Sequence, residues 1–240
     1  MKLKLRLFFI TGFLLALNSC DDRVSLANSK RLLVKGTIIN QNNEAIVNAE
    51  IGIFARRNNE FDTPGLGFNG FGGELIARTA SNSDGTFSLI TLYPITQSFS
   101  VEVFGQEAFT KYSYKTDIKN FEPTDLTINV GNVVLSEKSE VTFNINRTNT
   151  TSTELQYRIS HNSVFCREVF FEETLDEELT QCHETLQIVR TLDDNNPDDT
   201  IVFTSLVNSE ITFSYSINGQ PEQTEILTID QADYEFNFNY

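Results

Sequence analysis

Cys166 and Cys182 stand in the densest group of reactive side chains in the sequence. His161 and His183 lie close by, and Glu168, Glu172, Glu173, Asp176, Glu177 and Glu178 fall between the cysteines. Three chemistries suit those residue types. Two thiols in an oxidising compartment form a disulfide, the most economical use of the pair. Closing a loop of that size contributes about 3 kcal/mol through the unfolded chain. The same thiols with both histidines offer zinc ligands. However, Cys182 and His183 are neighbours in sequence and on a strand would face opposite ways. Paired carboxylates serve as acid and base in glycoside hydrolysis, although a run this dense ordinarily marks a solvated face. Leu175 and Leu179, four apart, allow a short helical turn among them.

A second acidic run, residues 193–199, gathers Asp193, Asp194, Asp198 and Asp199 around two asparagines and Pro197. Such oxygens suit calcium, but the glycine and closing glutamate of an EF-hand loop are missing, and a solvated acidic turn is the simpler reading. The sequence contains no Gly-x-Ser-x-Gly elbow, no HExxH and no phosphate loop. With two histidines in all, a histidine-based triad has few routes. The expectation is a protein without catalytic residues, metal or cofactor. Its alternatives are a calcium-dependent glycan-binding module or a carboxylate-based glycan hydrolase accessory.

The compartment is set by the start of the chain. Lys2, Lys4 and Arg6 precede an apolar run over residues 7–17, followed by Asn18, Ser19 and Cys20. A basic start, a short apolar centre and a cut point make a secretory signal. The run is too short for a bilayer, which needs about 20 residues, and no second long apolar segment follows. Ending in cysteine, the stretch resembles a bacterial lipoprotein lipobox. That resemblance implies removal of residues 1–19 and attachment of acyl chains to the thiol and new amino group of Cys20. Membrane contact would then run through lipid on Cys20. Asp21 and Asp22 look like the signal that, in one group of Gram-negative bacteria, sends lipoproteins to the outer face of the outer membrane. In the enteric system an aspartate there implies inner-membrane retention instead. The Asn- and Phe-rich composition suits the first group, so the expected location is the outer membrane, facing the exterior.

Without Lys2, Lys4 and Arg6 the chain keeps 15 basic against 33 acidic residues, a formal charge of −18. So acidic a surface argues against nucleic acid and against electrostatic docking to anionic lipid. A surface protein or a glycan is the expected partner.

The elements that must position these residues read as strands. Residues 20–29 form a polar tether. Short runs of period-2 alternation then recur between turn residues: Ala49, Ile51 and Ile53; Phe99, Val101 and Val103; Val141, Phe143 and Ile145. Asp84-Gly85 reads as a tight hairpin joining two strands. Asn218-Gly219 reads as a two-residue hairpin loop, with Ile217 opposite Gln220 and Pro221 opposite Ser216. Pro221 marks the return strand as an edge. Tyr234, Phe236, Phe238 and Tyr240 share the core face of a last strand. These patterns predict an all-β fold of two consecutive antiparallel β-sandwich domains, residues 30–136 and 140–240.

Three stretches of the first half carry a family pattern: Val34-Lys35-Gly36-Thr37-Ile38, then Ala49 to Ile53, then Thr79 through Asp84-Gly85-Thr86-Phe87. Residues 31 to about 118 resemble the carboxypeptidase regulatory-like domain, a transthyretin-like sandwich. Asn42, Asn43 and Ala45 stand where that pattern usually has glycine and proline. The resemblance implies a module that accompanies enzymes and transporters without supplying chemistry. An insertion, residues 58–73, carries five glycines with Phe61, Phe68 and Phe71 among them. It reads either as an aromatic contact loop for a partner or as a loop tucking its rings under the sandwich.

Overall fold

The computed structural model describes residues 25–56, 73–95, 98–118, 120–148 and 152–240, and within them the fold is all-β. Two apolar cores are present. The first lies between a sheet ordered β4 (Thr86–Pro94), β1 (Leu26–Asn40), β7 (Thr127–Leu135) and a larger sheet. The larger sheet runs β3 (Gly73–Ala80), β2 (Glu50–Arg56), β5 (Ser98–Phe104), β6 (Lys111–Thr116), β10 (Phe165–Phe171), β11 (Thr174–Leu175), with β12 (Gln181–Cys182) also on β10. The second core lies between the sheet β13 (Thr185–Leu192), β9 (Leu155–Asn162), β15 (Glu210–Ile217), β16 (Gln223–Thr228) and the sheet β14 (Asp199–Leu206), β8 (Lys138–Asn146), β17 (Asp233–Asn239).

Alternation explains which face each strand buries. Val141, Phe143 and Ile145 of β8 are fully buried, as are Ile211 and Phe213 of β15. In β17, Tyr234, Phe236 and Phe238 pack against this core while Glu235, Asn237 and Asn239 stay exposed. Phe143 and Phe236 have ring centroids 5.0 Å apart, as do Phe213 and Phe238. Such tilted and edge-on pairs add to simple burial.

Tertiary pairing departs from the sequence reading in several places. β1 starts at Leu26, opposite Pro94, inside the stretch expected to be tether. Asp84-Gly85 does not close a hairpin, because β3 pairs with β2 while β4 pairs with β1. It is a corner between layers. The Asp84 carboxylate accepts the Thr86 N–H at 3.0 Å and hydroxyl at 2.7 Å. Gly85 takes φ +79°, and a Cβ there would sit 2.5 Å from the Ile38 carbonyl. Three ladders are parallel: β1 with β7, β6 with β10, and β8 with β17. The Asn218-Gly219 loop closes as expected, Gln220 N–H donating to the Ile217 carbonyl, and β16 is an edge. Beyond it the ladder resumes with Tyr215 opposite Gln223, one residue later than the expected register, which paired it with Glu222. Pro221 has no N–H with which to extend the ladder, and the extra residue of the return strand falls there.

One segment crosses between the cores. Asn162 at the end of β9 lies directly opposite Thr185 at the start of β13. Residues 163–184 leave at that point, lay β10 along the edge of β6 over six paired positions, and return. Part of residues 140–240 thus completes the sheet of the first unit.

Candidate functional site

The excursion of residues 163–184 is held at its base by pairing and by a covalent bond. Ser163 N–H donates to the Glu184 carbonyl at 2.8 Å and His183 N–H to the Phe165 carbonyl at 2.9 Å. Cys166 and Cys182 face each other across β10 and β12 and form a disulfide. Outward from it, Thr180 N–H reaches the Asp176 carbonyl, a single helical turn between Leu175 and Leu179. The Asp176 carboxylate accepts the N–H groups of Glu178 and Leu179. On the β6 side, Tyr112 donates its hydroxyl to Glu168 at 2.5 Å, and Phe170 stacks on Tyr114 with centroids 4.4 Å apart. Burial, reinforced by the Glu168 hydrogen bond, pushes the Tyr112 phenol well above its ordinary value.

Where this excursion meets the first sandwich there is a cleft of about 400 Å³. Tyr114, Thr116 and Phe170 form one wall, Phe121, Pro123, Thr124 and Asp125 a second, and Lys35, Thr127, Ile128 and Asn129 a third, with Glu173 at the mouth. Tyr114, Pro123 and Ile128 are buried, and Phe121 and Phe170 are half-buried. Lys35, Thr124, Asp125, Asn129 and Glu173 are exposed. The cleft is therefore lined by aromatic and apolar side chains mixed with polar and charged ones. Burial, then the charges of Glu173 and Glu168, push the Tyr114 phenol up to about 12. Its hydroxyl thus stays protonated at neutral pH. Two turns flank the cleft: Asp125 and Leu126 have φ of 53° and 50°, and Glu172 and Glu173, the two-residue loop between β10 and β11, have 48° and 62°, as such a hairpin requires. Each left-handed non-glycine residue costs roughly 1–2 kcal/mol. The two turns are linked through Thr124, next to Asp125, whose N–H donates to the Glu173 carboxylate at 3.0 Å.

The other chemical candidates hold the structure together. The bonded sulfurs of Cys166 and Cys182 offer no thiolates, so the four-ligand zinc arrangement is not built. His161 is buried against the Phe203 ring, centroids 4.3 Å apart, while the His183 ring lies 3.1 Å from the Ser163 carbonyl. The carboxylates of residues 193–199 turn toward separate partners rather than one centre. Asp193 accepts the N–H groups of Asn195 and Asn196, and Asp194 takes the Arg147 guanidinium and the Ser152 hydroxyl, each at 2.6 Å. Asp198 accepts the Arg147 N–H and Asp199 the Tyr157 hydroxyl. These hydrogen bonds hold the Asp193 and Asp194 carboxyls below the usual carboxylate range. Tyr240 closes the loop through its hydroxyl on the Pro197 carbonyl. Cys20, Phe61, Phe68 and Phe71 lie outside the described residues.

Sequence reading missed the cleft, whose walls come from three distant segments. A local signal did exist in Phe165 to Phe171, a short aromatic-bounded run compatible with a strand.

No protein-family model matches the chain, and no curated protein matches it. Among solved structures it is similar to the Bacillus anthracis TIE protein (9% identity, 88% of this chain and 33% of that one, TM-score 0.31). It is also similar to a streptococcal ancillary pilin (10%, 89% and 63%, TM-score 0.32) and to shaft pilin SpaA of Lactobacillus rhamnosus GG (11%, 88% and 97%, TM-score 0.30). The chain thus spans a third of the length of the first and under two thirds of the second.

Proposed function

We propose that the protein is a non-catalytic component of the cell envelope, anchored by lipid on Cys20, whose β-sandwiches present a binding cleft to a surface protein or glycan. The observation that carries this reading is the use made of the acidic groups. Asp176, Asp193, Asp194, Asp198 and Asp199 each accept hydrogen bonds that shape a turn or clamp a neighbour. A carboxylate so engaged is a poor general acid or base, which needs reach to a substrate proton. The resemblance of the first half to a carboxypeptidase regulatory-like module adds support: Ala49 and Phe87 of the pattern lie in the core, and Gly36 lies where a side chain would not fit. The signal-like start and Asp21-Asp22 support the outer membrane, facing outward, as the site of action.

Mass spectrometry of the detergent-extracted protein tests the anchor. A mature chain beginning at an acylated Cys20 is expected, and a soluble product with another amino terminus overturns it. Protease shaving of intact cells then reports the exposed face. Glycan turnover that disappears on replacing one acidic residue would overturn the non-catalytic reading.

A further inference from the structure

Resting on that binding role, we propose that the cleft beneath residues 163–184 receives a short, extended, basic peptide segment, which adds as a strand to the open edge of β7. β7 pairs with β1 along one side only, so its other side presents backbone N–H and C=O groups to a partner. Just past its far end the chain is tied to the start of β6. There the Thr110 N–H donates to the Ser136 carbonyl at 2.9 Å, and the Ser136 N–H to the Thr110 hydroxyl at 3.0 Å. Toward Thr127 the two strands part. The cleft occupies that gap, with Thr127, Ile128 and Asn129 on one side and Tyr114, Thr116 and Phe170 on the other.

The edge is of a kind that accepts a neighbour. Over Thr127–Leu135 it has no charged residue and no proline. Among the other edge strands, β3, β13, β14, β16 and β17 each carry a charged side chain, and β4 ends on Pro94. Charge and proline are how exposed edges ordinarily refuse a strand. The usable length is short. The ladder of β7 on β1 shifts register between Asn129 and Asn132, and the Gly131 N–H donates to Asn129 Oδ1 at 3.1 Å. The added strand is confined to the stretch before Gly131, about three residues of partner at roughly 3.3 Å each.

The walls define the partner's chemistry. Half-buried Phe121 and Phe170 offer contact to an apolar side chain, which alternate residues of an added strand supply. Asp125 and Glu173 outnumber Lys35, the one cation of the lining among the described residues. After burial, the charges of Glu173 and Glu168 are what raise the Tyr114 phenol, so the potential at that wall is negative. The whole chain carries −15, which draws a basic segment in and turns an acidic one away.

The test is calorimetric titration of the full chain with blocked hexapeptides of alternating valine and threonine, carrying two lysines, two glutamates or no charge, beside a neutral oligosaccharide. The lysine peptide is expected to bind, and the glutamate peptide to bind about tenfold more weakly. Methylating one alternate set of the lysine peptide's amide nitrogens should abolish binding, and methylating the other set should leave it, because successive N–H groups of a strand point to opposite sides. Asp125→Asn combined with Glu173→Gln should weaken the lysine peptide about threefold to tenfold and leave the uncharged one unchanged. An unchanged thermal midpoint would show that the doubly substituted chain is folded, and the methylated peptides test the edge on the native protein in any case. Equal effects of the two methylated sets, indifference to the double substitution, preference for the glutamate peptide, or no peptide binding would each overturn the proposal. Binding of the oligosaccharide in place of the peptides would overturn it too, while leaving the envelope-binding role intact. Loss of the Cys20 anchor, read separately by mass spectrometry, would remove the broader reading without touching the cleft.

Discussion

His161 shows how one residue type divides between ligand and core. Its imidazole lies against Phe203, and its Nδ1 is 3.2 Å from the Asn162 carbonyl. Burial moves its pKa below the ordinary 6.5, with the carbonyl contact partly offsetting this. The unfolded chain then holds the proton more firmly than the folded one. Stability linked to His161 is complete above pH 6.5 and declines as pH falls from there toward the lower folded value. The slope in that window is at most about 1.4 kcal/mol per pH unit. Urea unfolding between pH 7 and 5 should therefore show a steeper loss in the native protein than in His161→Gln; equal slopes would contradict this. Asp193 and Asp194 act in a separate window. Their carboxyls sit below the ordinary 3.8, so their contribution holds above that pH and is lost as pH falls through their folded values.

At the scale of strands, alternation made the buried faces legible. The partner and its direction were not, because period 2 is the same in parallel and antiparallel ladders. Gly36 is a position where the packing of neighbouring strands leaves no room for a side chain. A Cβ on it would stand 2.4 Å from Val130 Cγ2, 2.9 Å from Phe87 Cε1 and 3.0 Å from the Gly131 carbonyl oxygen. Gly36→Ala is expected to cost about 1–3 kcal/mol, as overpacking in a closed core does, measured by equilibrium denaturation. A neutral result would mean that Val130 swings aside freely. At the Asp84-Gly85 corner the turn residues were evident, but the layer that each flanking strand would join depends on β1 and β2, far back in the chain.

For the whole molecule, two cores were legible from strand spacing and their connection was not. Residues 163–184 carry a dense run of carboxylates, which read as a solvated face. Their structural role rests on Cys166 and Phe170, which pack against the first core. The cleft was invisible for the same reason, since Lys35, Phe121 and Phe170 meet only once both sheets and the excursion are in place. Cys166 and Cys182 are 16 residues apart, and replacing both by serine should cost about 3 kcal/mol by the chain-entropy estimate. Urea midpoints of the native and doubly substituted proteins, both without reductant, measure this.

The parallel pairing of β10 with β6 also sets an order in which the chain can complete its sheet. β6 is finished at Thr116, yet the strand that covers its edge is completed only when Phe171 has been added. Until then the first sandwich has an open edge at β6. An unpaired edge is a template for the wrong neighbour. A nascent chain arrested before residue 163, or a fragment cut near residue 136, carries that edge permanently, so the amino-terminal half should be the aggregation-prone one when expressed by itself.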